Sequence, residues 1–384
     1  MFSSRFHWDF HPNLLTRTLQ TKRRDGVPIL DLTQSNPTQA GLLYPPALAH
    51  AFEQERLLRY DPTPAGMRDA REAVARYYAA RGTAVEPDRI LLTASTSEAY
   101  AYLFKLLTDP GDQVLVPRPS YPLFEFLAAM ESVEVRSYPL VYHGRWAIDL
   151  DALGSALTDR TRAVILVNPN NPTGSFLKRE ELAHLLELCS LREIALISDE
   201  VFSDYAFGDD PDRVPTLAGI DAGLAFSMSG LSKIAGLPQM KLGWIVASGS
   251  PRHRQPAMER LEWIADTYLS VGTPVQCAAA RLFEIGDSIQ QQIRARTYEN
   301  LQFAARTVSG AATLLAVEGG WYVVVQVPRV RSEEEWAMEL LTRRNLLVQP
   351  GFFYDFESEA FLVLSLLTPP ELFREGLDRL VRST

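Results

Sequence analysis

Short apolar runs rich in Val and Ile recur along the chain and alternate with longer stretches of helical period. That alternation predicts βα units laid around a mostly parallel sheet. The strand candidates are residues 90–93, 113–116, 163–167, 195–198, 225–227 and 243–247, and helical patterning covers 97–107, 121–130 and 178–188. From 286 to 308 a Gln- and Arg-rich segment of helical composition leads to Gly319-Gly320, a Val-rich strand at 322–327 and a closing helix. The expected fold is α/β, a large domain at 46–285 with helices flanking its sheet and a smaller α+β domain at 286–384. Residues 1–45, dense in turn formers (DLTQSNPTQAG), are expected to pack on the small domain as an arm. The length agrees with two parts, since 384 residues exceed what one core fills.

Composition narrows the chemistry. Apolar residues at 46% and charged ones at 22% are the proportions of an ordinary globular protein. The net charge of -9 is spread along the chain and forms no basic stripe for nucleic acid or an anionic membrane, which leaves small-molecule chemistry as the expectation. Cys189 and Cys277 stand far apart without a CxxC, and the six histidines show neither HxH nor HExxH spacing, so neither a disulfide framework nor a metal site is expected. MFSSRFHWDFHPNLL lacks the plan of a signal peptide and no run of about 20 uncharged apolar residues occurs, which makes the cytoplasm the expected location.

Four segments follow successive strand candidates, at the carboxyl ends where open parallel sheets bind ligands. In NPNNPTG, residues 168–174, two Asn-Pro steps force extended and turn geometry and leave Asn171 as the candidate contact; such turns also serve as plain loop punctuation. SDEVF, residues 198–202, sets Asp199 at a strand end, either as a helix cap or as the carboxylate that keeps a ring nitrogen protonated. In SGLSKIAGLPQMKLGW, residues 229–244, Lys233 stands among small and apolar residues. Desolvation there would free its amine to attack a carbonyl, the ordinary alternative being a solvated loop lysine. In TASTSEA, residues 93–99, Ser95, Thr96 and Ser97 either cap a helix or, with its orphan N–H groups, cradle a phosphate.

Taken in order, these segments resemble the class I/II aminotransferases of pyridoxal 5'-phosphate (PLP) fold type I, the aspartate aminotransferase-like family, over nearly the whole chain. The resemblance implies PLP as cofactor, Lys233 as imine-forming lysine and proton shuttle, and Asp199 and Asn171 at the ring. PGDQVLVPRPSYP, residues 110–122, implies that Tyr121 stacks on that ring. RYDPTPAGMRDAR, residues 59–71, implies a homodimer in which Tyr60 reaches the neighbouring subunit's phosphate. Asn36, Trp321 and Tyr322 are candidate substrate contacts, although an apolar strand such as the one they adjoin is more often core. The implied reaction moves an amino group between an amino acid or amine and a keto acid or aldehyde, with a PLP-dependent lyase or decarboxylase as the alternative. A cofactor-sensing transcription regulator would need an appended basic helix-turn-helix.

Four positions depart from the family pattern. Phe202 stands where a tyrosine usually meets the cofactor's phenolic oxygen, Gly230 where a serine binds phosphate, and Lys241 where an arginine grips it bidentately. In EAFLVLSLLTPPELF, residues 359–373, Val363 takes the place of the arginine that clamps the substrate α-carboxylate. Either another cation substitutes, with Arg5, Arg17, Arg23, Arg24 and Arg118 as candidates and Asn36 adding a hydrogen bond, or the donor has no α-carboxylate.

Overall fold

The apolar runs assemble into one eight-stranded sheet: β1 (Ile90–Thr93), β2 (Gln113–Arg118), β3 (Glu134–Tyr142), β4 (Trp146–Ile148), β5 (Thr161–Val167), β6 (Ala195–Asp199), β7 (Leu224–Gly230) and β8 (Gly243–Gly249). The spatial order is β1-β8-β7-β6-β5-β2-β3-β4. Strands β7, β6, β5, β2 and β3 pair in parallel, β8 runs antiparallel between β1 and β7, and β4 closes a hairpin on β3. Helices cover both faces, so the central strands bury both sets of side chains and read as unbroken apolar runs. Leu92, Leu115, Val164, Leu196 and Trp244 enter the core on one face, and Leu91, Val114, Ile165, Ile197 and Phe226 on the other. The β3–β4 hairpin is absent from the sequence expectation because Glu134, Arg136, Ser137 and Pro139 dilute its apolar pattern.

The computed structural model describes residues 2–6, 8 and 11–384; His7 of the expected arm lies outside the described residues. A second, antiparallel sheet contains β9 (Thr313–Leu314), β10 (Tyr322–Gln326), β11 (Gln349–Pro350) and β12 (Phe361–Ser365) in the order β9-β10-β12-β11. Val323, Val325, Leu362 and Leu364 bury one of its faces against Trp336 and Phe373, which are carried by the helices Glu333–Arg344 and Pro370–Val381. The helix Leu14–Arg24 of the arm packs on Glu333–Arg344, and Leu30–Asp31 pairs in parallel with Leu346–Leu347. Upstream, the arm turns to the large sheet, where Trp8 meets Phe126 edge-on at 4.9 Å and Arg5 Nη1 donates to Met130 O at 2.8 Å.

One helix, Thr273–Thr307, runs 35 residues without a break. It packs on Arg68–Ala79 and Leu231–Ile234 at the large sheet and on Pro370–Val381 at the small one. The junction expected between 285 and 286 falls inside this helix, which belongs to both parts. Its polar composition conceals a buried stripe, Leu282, Ile285, Gly286, Ile289, Gln290, Ile293 and Thr297, at helical spacing. The segment leading into β10 is tied to the large sheet as well: Gly320 N donates to Tyr205 O at 2.9 Å, and Lys178 Nζ pairs with Glu318 Oε2 at 2.7 Å.

Candidate active site

The carboxyl ends of β5, β6 and β7 lie at one edge of the sheet, with Val167 in register with Asp199 and Asp199 with Met228. There a cleft of about 820 Å³ opens, lined by Thr96, Ser97, Tyr100, Tyr121, Asn171, Asp199, Phe202, Lys233 and Tyr322, with Ser35 reaching in from the arm. Asp199 accepts from Tyr100 Oη at 3.2 Å and from Val201 N at 3.3 Å. Burial pushes its carboxyl up to about 6, against the lowering pull of those two hydrogen bonds and of the Lys233 charge. Burial also draws the Lys233 amine down to about 8, with Asp199 countering. The amine stands 5.0 Å from the Trp321 ring centroid and 5.8 Å from that of Phe202. At pH 7 about a tenth of Lys233 is then neutral and nucleophilic, far more than of an ordinary lysine.

Helix Thr96–Leu107 begins at the cleft wall. Ser95 Oγ accepts from Glu98 N at 3.2 Å and Glu98 Oε2 accepts from Ala94 N at 2.7 Å, so the Ser95 side chain acts as a helix cap and does not line the cleft. Among the described residues no protein group accepts from Thr96 N or Ser97 N. These N–H groups, at the positive end of a 12-residue helix beside two hydroxyls, suit an anion. Asn171 is buried and its Oδ1 has no protein partner.

Several expected contacts lie elsewhere. Lys241, at φ 51°, is exposed outside the cleft lining. Tyr60 is 77% exposed and lines a separate depression with Tyr102, Leu269 and Gln276. Asn36 Oδ1 caps a short 3-10 turn by accepting from Thr38 N at 3.1 Å, and its neighbour Ser35 reaches the cleft in its stead. Trp321 is fully buried behind Lys233 and Phe202, with Phe202 edge-on at 5.2 Å. A Cβ on Gly230 would come within 2.9 Å of Leu242 O, so the close approach of β7 and β8 bars a serine there. Val363 is completely buried between Val324 and Gln349. None of the five candidate cations lines the cleft: Arg5 is held at Met130 O, Arg23 pairs with Asp31 at 3.3 Å, Arg24 with Asp25 at 3.8 Å and Arg118 with Asp355 at 4.0 Å, while Arg17 is exposed on its helix. Tyr100 and Ser35, absent from the sequence reading, sit on a helix face and an arm turn whose position only the packed fold reveals.

This donor set fits PLP: an amine for its aldehyde, a buried carboxylate for its ring nitrogen, an unpartnered amide and a helix N-terminus for its anion. Residues 27–380 match the family model described as aminotransferase class I and II. The chain belongs to that family. The glutamate-pyruvate aminotransferase AlaA of Escherichia coli K12 is 25% identical over 347 residues, covering 86% of this chain and 84% of the relative. The tyrosine aminotransferase of Bos taurus is 29% identical over 244 residues, covering 62% and 54%. An alanine aminotransferase structure from Pyrococcus furiosus superposes with a TM-score of 0.89 at 22% identity, covering 100% of this chain and 99% of that one, which speaks for the fold. The aminotransferase is thus a PLP-dependent transferase acting on amino and keto acids, with the mostly parallel sheet and the smaller α+β domain expected, the latter built on an antiparallel sheet. Nothing in these comparisons favours the lyase or decarboxylase alternative. Among the described residues no helix is long and apolar enough to cross a membrane and no cluster of three side chains suits a metal ion.

Proposed function

We propose that Lys233, Asp199 and Asn171 carry the transamination, Lys233 as the residue that binds the cofactor aldehyde and then moves a proton at the substrate carbon. The observation that carries this reading is that a partly desolvated amine and a buried carboxylate face one cleft while a helix N-terminus with unused N–H groups opens into the same space. When bound, PLP supplies an electron-withdrawing ring that stabilises negative charge at the substrate carbon. Asp199 holds the ring nitrogen's proton by charge, and its own hydrogen bonds from Tyr100 and Val201 fix its direction. An amine near pKa 8 accepts and returns a proton close to neutral pH, as general acid–base work requires. Asn171 and Tyr121, which line the cleft, would hold the ring, and the N–H groups and hydroxyls of Thr96 and Ser97 would hold the phosphate.

Tyr60 and Lys241, exposed on one protomer, act at the neighbouring subunit's site and at the phosphate rim of a homodimer, and the enzyme works in the cytoplasm. Because Asp199 and Lys233 are, among the described residues, the only acidic or basic side chains lining the cleft, the donor's end distant from its nitrogen is held by Ser35, Tyr121 and Tyr322. The test is an absorbance screen of half-reactions. Bleaching of the cofactor band by amines or amino acids in the parent, with no band in Lys233→Ala, is expected. A band that survives Lys233→Ala would overturn the assignment.

A further inference from the structure

The helix carrying Lys233, Leu231–Ile234, is four residues long, too short to be held by its own hydrogen bonds. Groups from elsewhere grip its last carbonyls. Tyr205 Oη donates to Lys233 O at 2.6 Å, and Gln290 Nε2, from the long helix, donates to Ile234 O at 2.5 Å. The same Gln290 amide donates to Asp204 Oδ2 at 2.9 Å, so both its protons are used. Asp204 also accepts from Tyr77 Oη at 3.2 Å and from Arg81 at 2.6 and 3.0 Å, and the Arg81 guanidinium lies 3.8 Å from the Tyr77 ring centroid. Tyr205, Asp204 and Gln290 are buried. Burial holds the Tyr205 hydroxyl well above its ordinary pKa and keeps it a donor.

We propose that Tyr205 and Gln290 are positioning residues that set the place of the Lys233 amine by holding two consecutive main-chain carbonyls, with the Asp204–Arg81 pair as their anchor. The proposal rests on Lys233 being the cofactor-binding lysine. Neither residue lines the cleft, so neither reaches substrate or PLP; they act through the lysine's backbone. Lys233 O also accepts from Gly236 N at 3.2 Å, so the Tyr205 hydroxyl is a donor beyond what satisfying that carbonyl requires. With both donors in place the short helix is tied to the long one and to Tyr205, which would fix the place of the amine before a cofactor binds.

The variants are Tyr205→Phe and Gln290→Met, each close in shape and lacking the donor. Both are expected to retain the cofactor band. The rate at which apo-protein mixed with PLP acquires a borohydride-reducible linkage should fall about tenfold, and kcat about 10–100-fold, as small misplacements of a reacting group do. KM for the donor should stay within about threefold, and the pH at which the band changes should move. The double variant should lose less than the product of the single losses, since both hold one element. Variants that unfold at lower temperature yet keep the parent's linkage rate and kcat would overturn the proposal. Should one variant fail to accumulate, the other decides, and Arg81→Lys, which disturbs only the anchor, is read in the same way if both fail. A parent that forms no band defeats the reading of Lys233 itself and is thereby told apart from a failure of the positioning claim.

Discussion

Gly286→Ala sets two rules against each other. On an exposed helix the change would stabilise by about 0.8–1 kcal/mol, because alanine loses less backbone freedom than glycine. Here a Cβ at 286 would stand 2.4 Å from Ala235 Cβ and 3.1 Å from Ala235 Cα. Carbon atoms in contact prefer about 3.5–4.0 Å, so helix and loop must part by about 1 Å or more. Overpacking of this kind costs about 1–3 kcal/mol, which leaves a net loss of about 0–2 kcal/mol after the helix gain. Ala235 lies two residues beyond Lys233, and a shift of about 1 Å in a reacting group can cost about 100-fold in rate. The predicted variant is therefore slightly less stable and severely slowed, which urea unfolding and a single-turnover absorbance measurement on the PLP form would read separately. Gln291→Ala, at an exposed position of the same helix, is the control. A Gly286→Ala protein about 1 kcal/mol more stable than the parent with kcat within threefold would refute the contact between helix and lysine loop.

Asp199→Asn is expected to stabilise the PLP-free protein while crippling turnover. Burial raises the Asp199 carboxyl to about 6 from the ordinary aspartate range near 4, so the stability contributed by its protonated form is fully present below about 4 and is lost as pH rises through about 6. At pH 7–8 the gain from removing that charge is about 1–3 kcal/mol, read by denaturant unfolding; a less stable variant across that range contradicts the burial argument. Phe202→Tyr, restoring a hydroxyl near the ring, should lower the pKa of the cofactor chromophore, and an unchanged absorbance titration would count against that. Lys241→Arg should leave PLP affinity within about twofold in protein held as monomer and raise it in the assembled dimer, as measured by equilibrium dialysis; equal effects in both would argue against the exposed placement. Arg81→Leu leaves the buried Asp204 carboxylate with Tyr77 and Gln290 as its remaining donors and should cost about 1–3 kcal/mol, since Asp204 is buried although Arg81 itself is partly exposed; a loss below about 0.5 kcal/mol in urea unfolding would contradict the anchoring role of this pair.

The sheet was legible because its strands bury both faces and so print near-continuous apolar runs, and the order of Asn171, Asp199 and Lys233 was legible because each ends such a run. What escaped was whatever long-range packing supplies. Gln290 belongs to a segment whose Gln- and Arg-rich composition reads as solvent-facing, yet it is buried because its two amide protons meet two acceptors. Tyr100 is one aromatic among several on an apolar helix, and only the fold brings its hydroxyl to Asp199. Ser95, which the sequence allowed as either a helix cap or a phosphate contact, caps its own helix by accepting from Glu98 N, and the backbone beyond it is left for the anion.

The 35-residue helix spans about 52 Å at 1.5 Å per residue, and it passes beneath the lysine before reaching the smaller sheet. A tilt of a few degrees pivoting beside Gly286 would barely move the contact there, whereas a slide along the axis would arrive undiminished. Rocking of the smaller lobe about that point would leave the amine where it is, and axial travel of this strut is the motion that would reach the lysine.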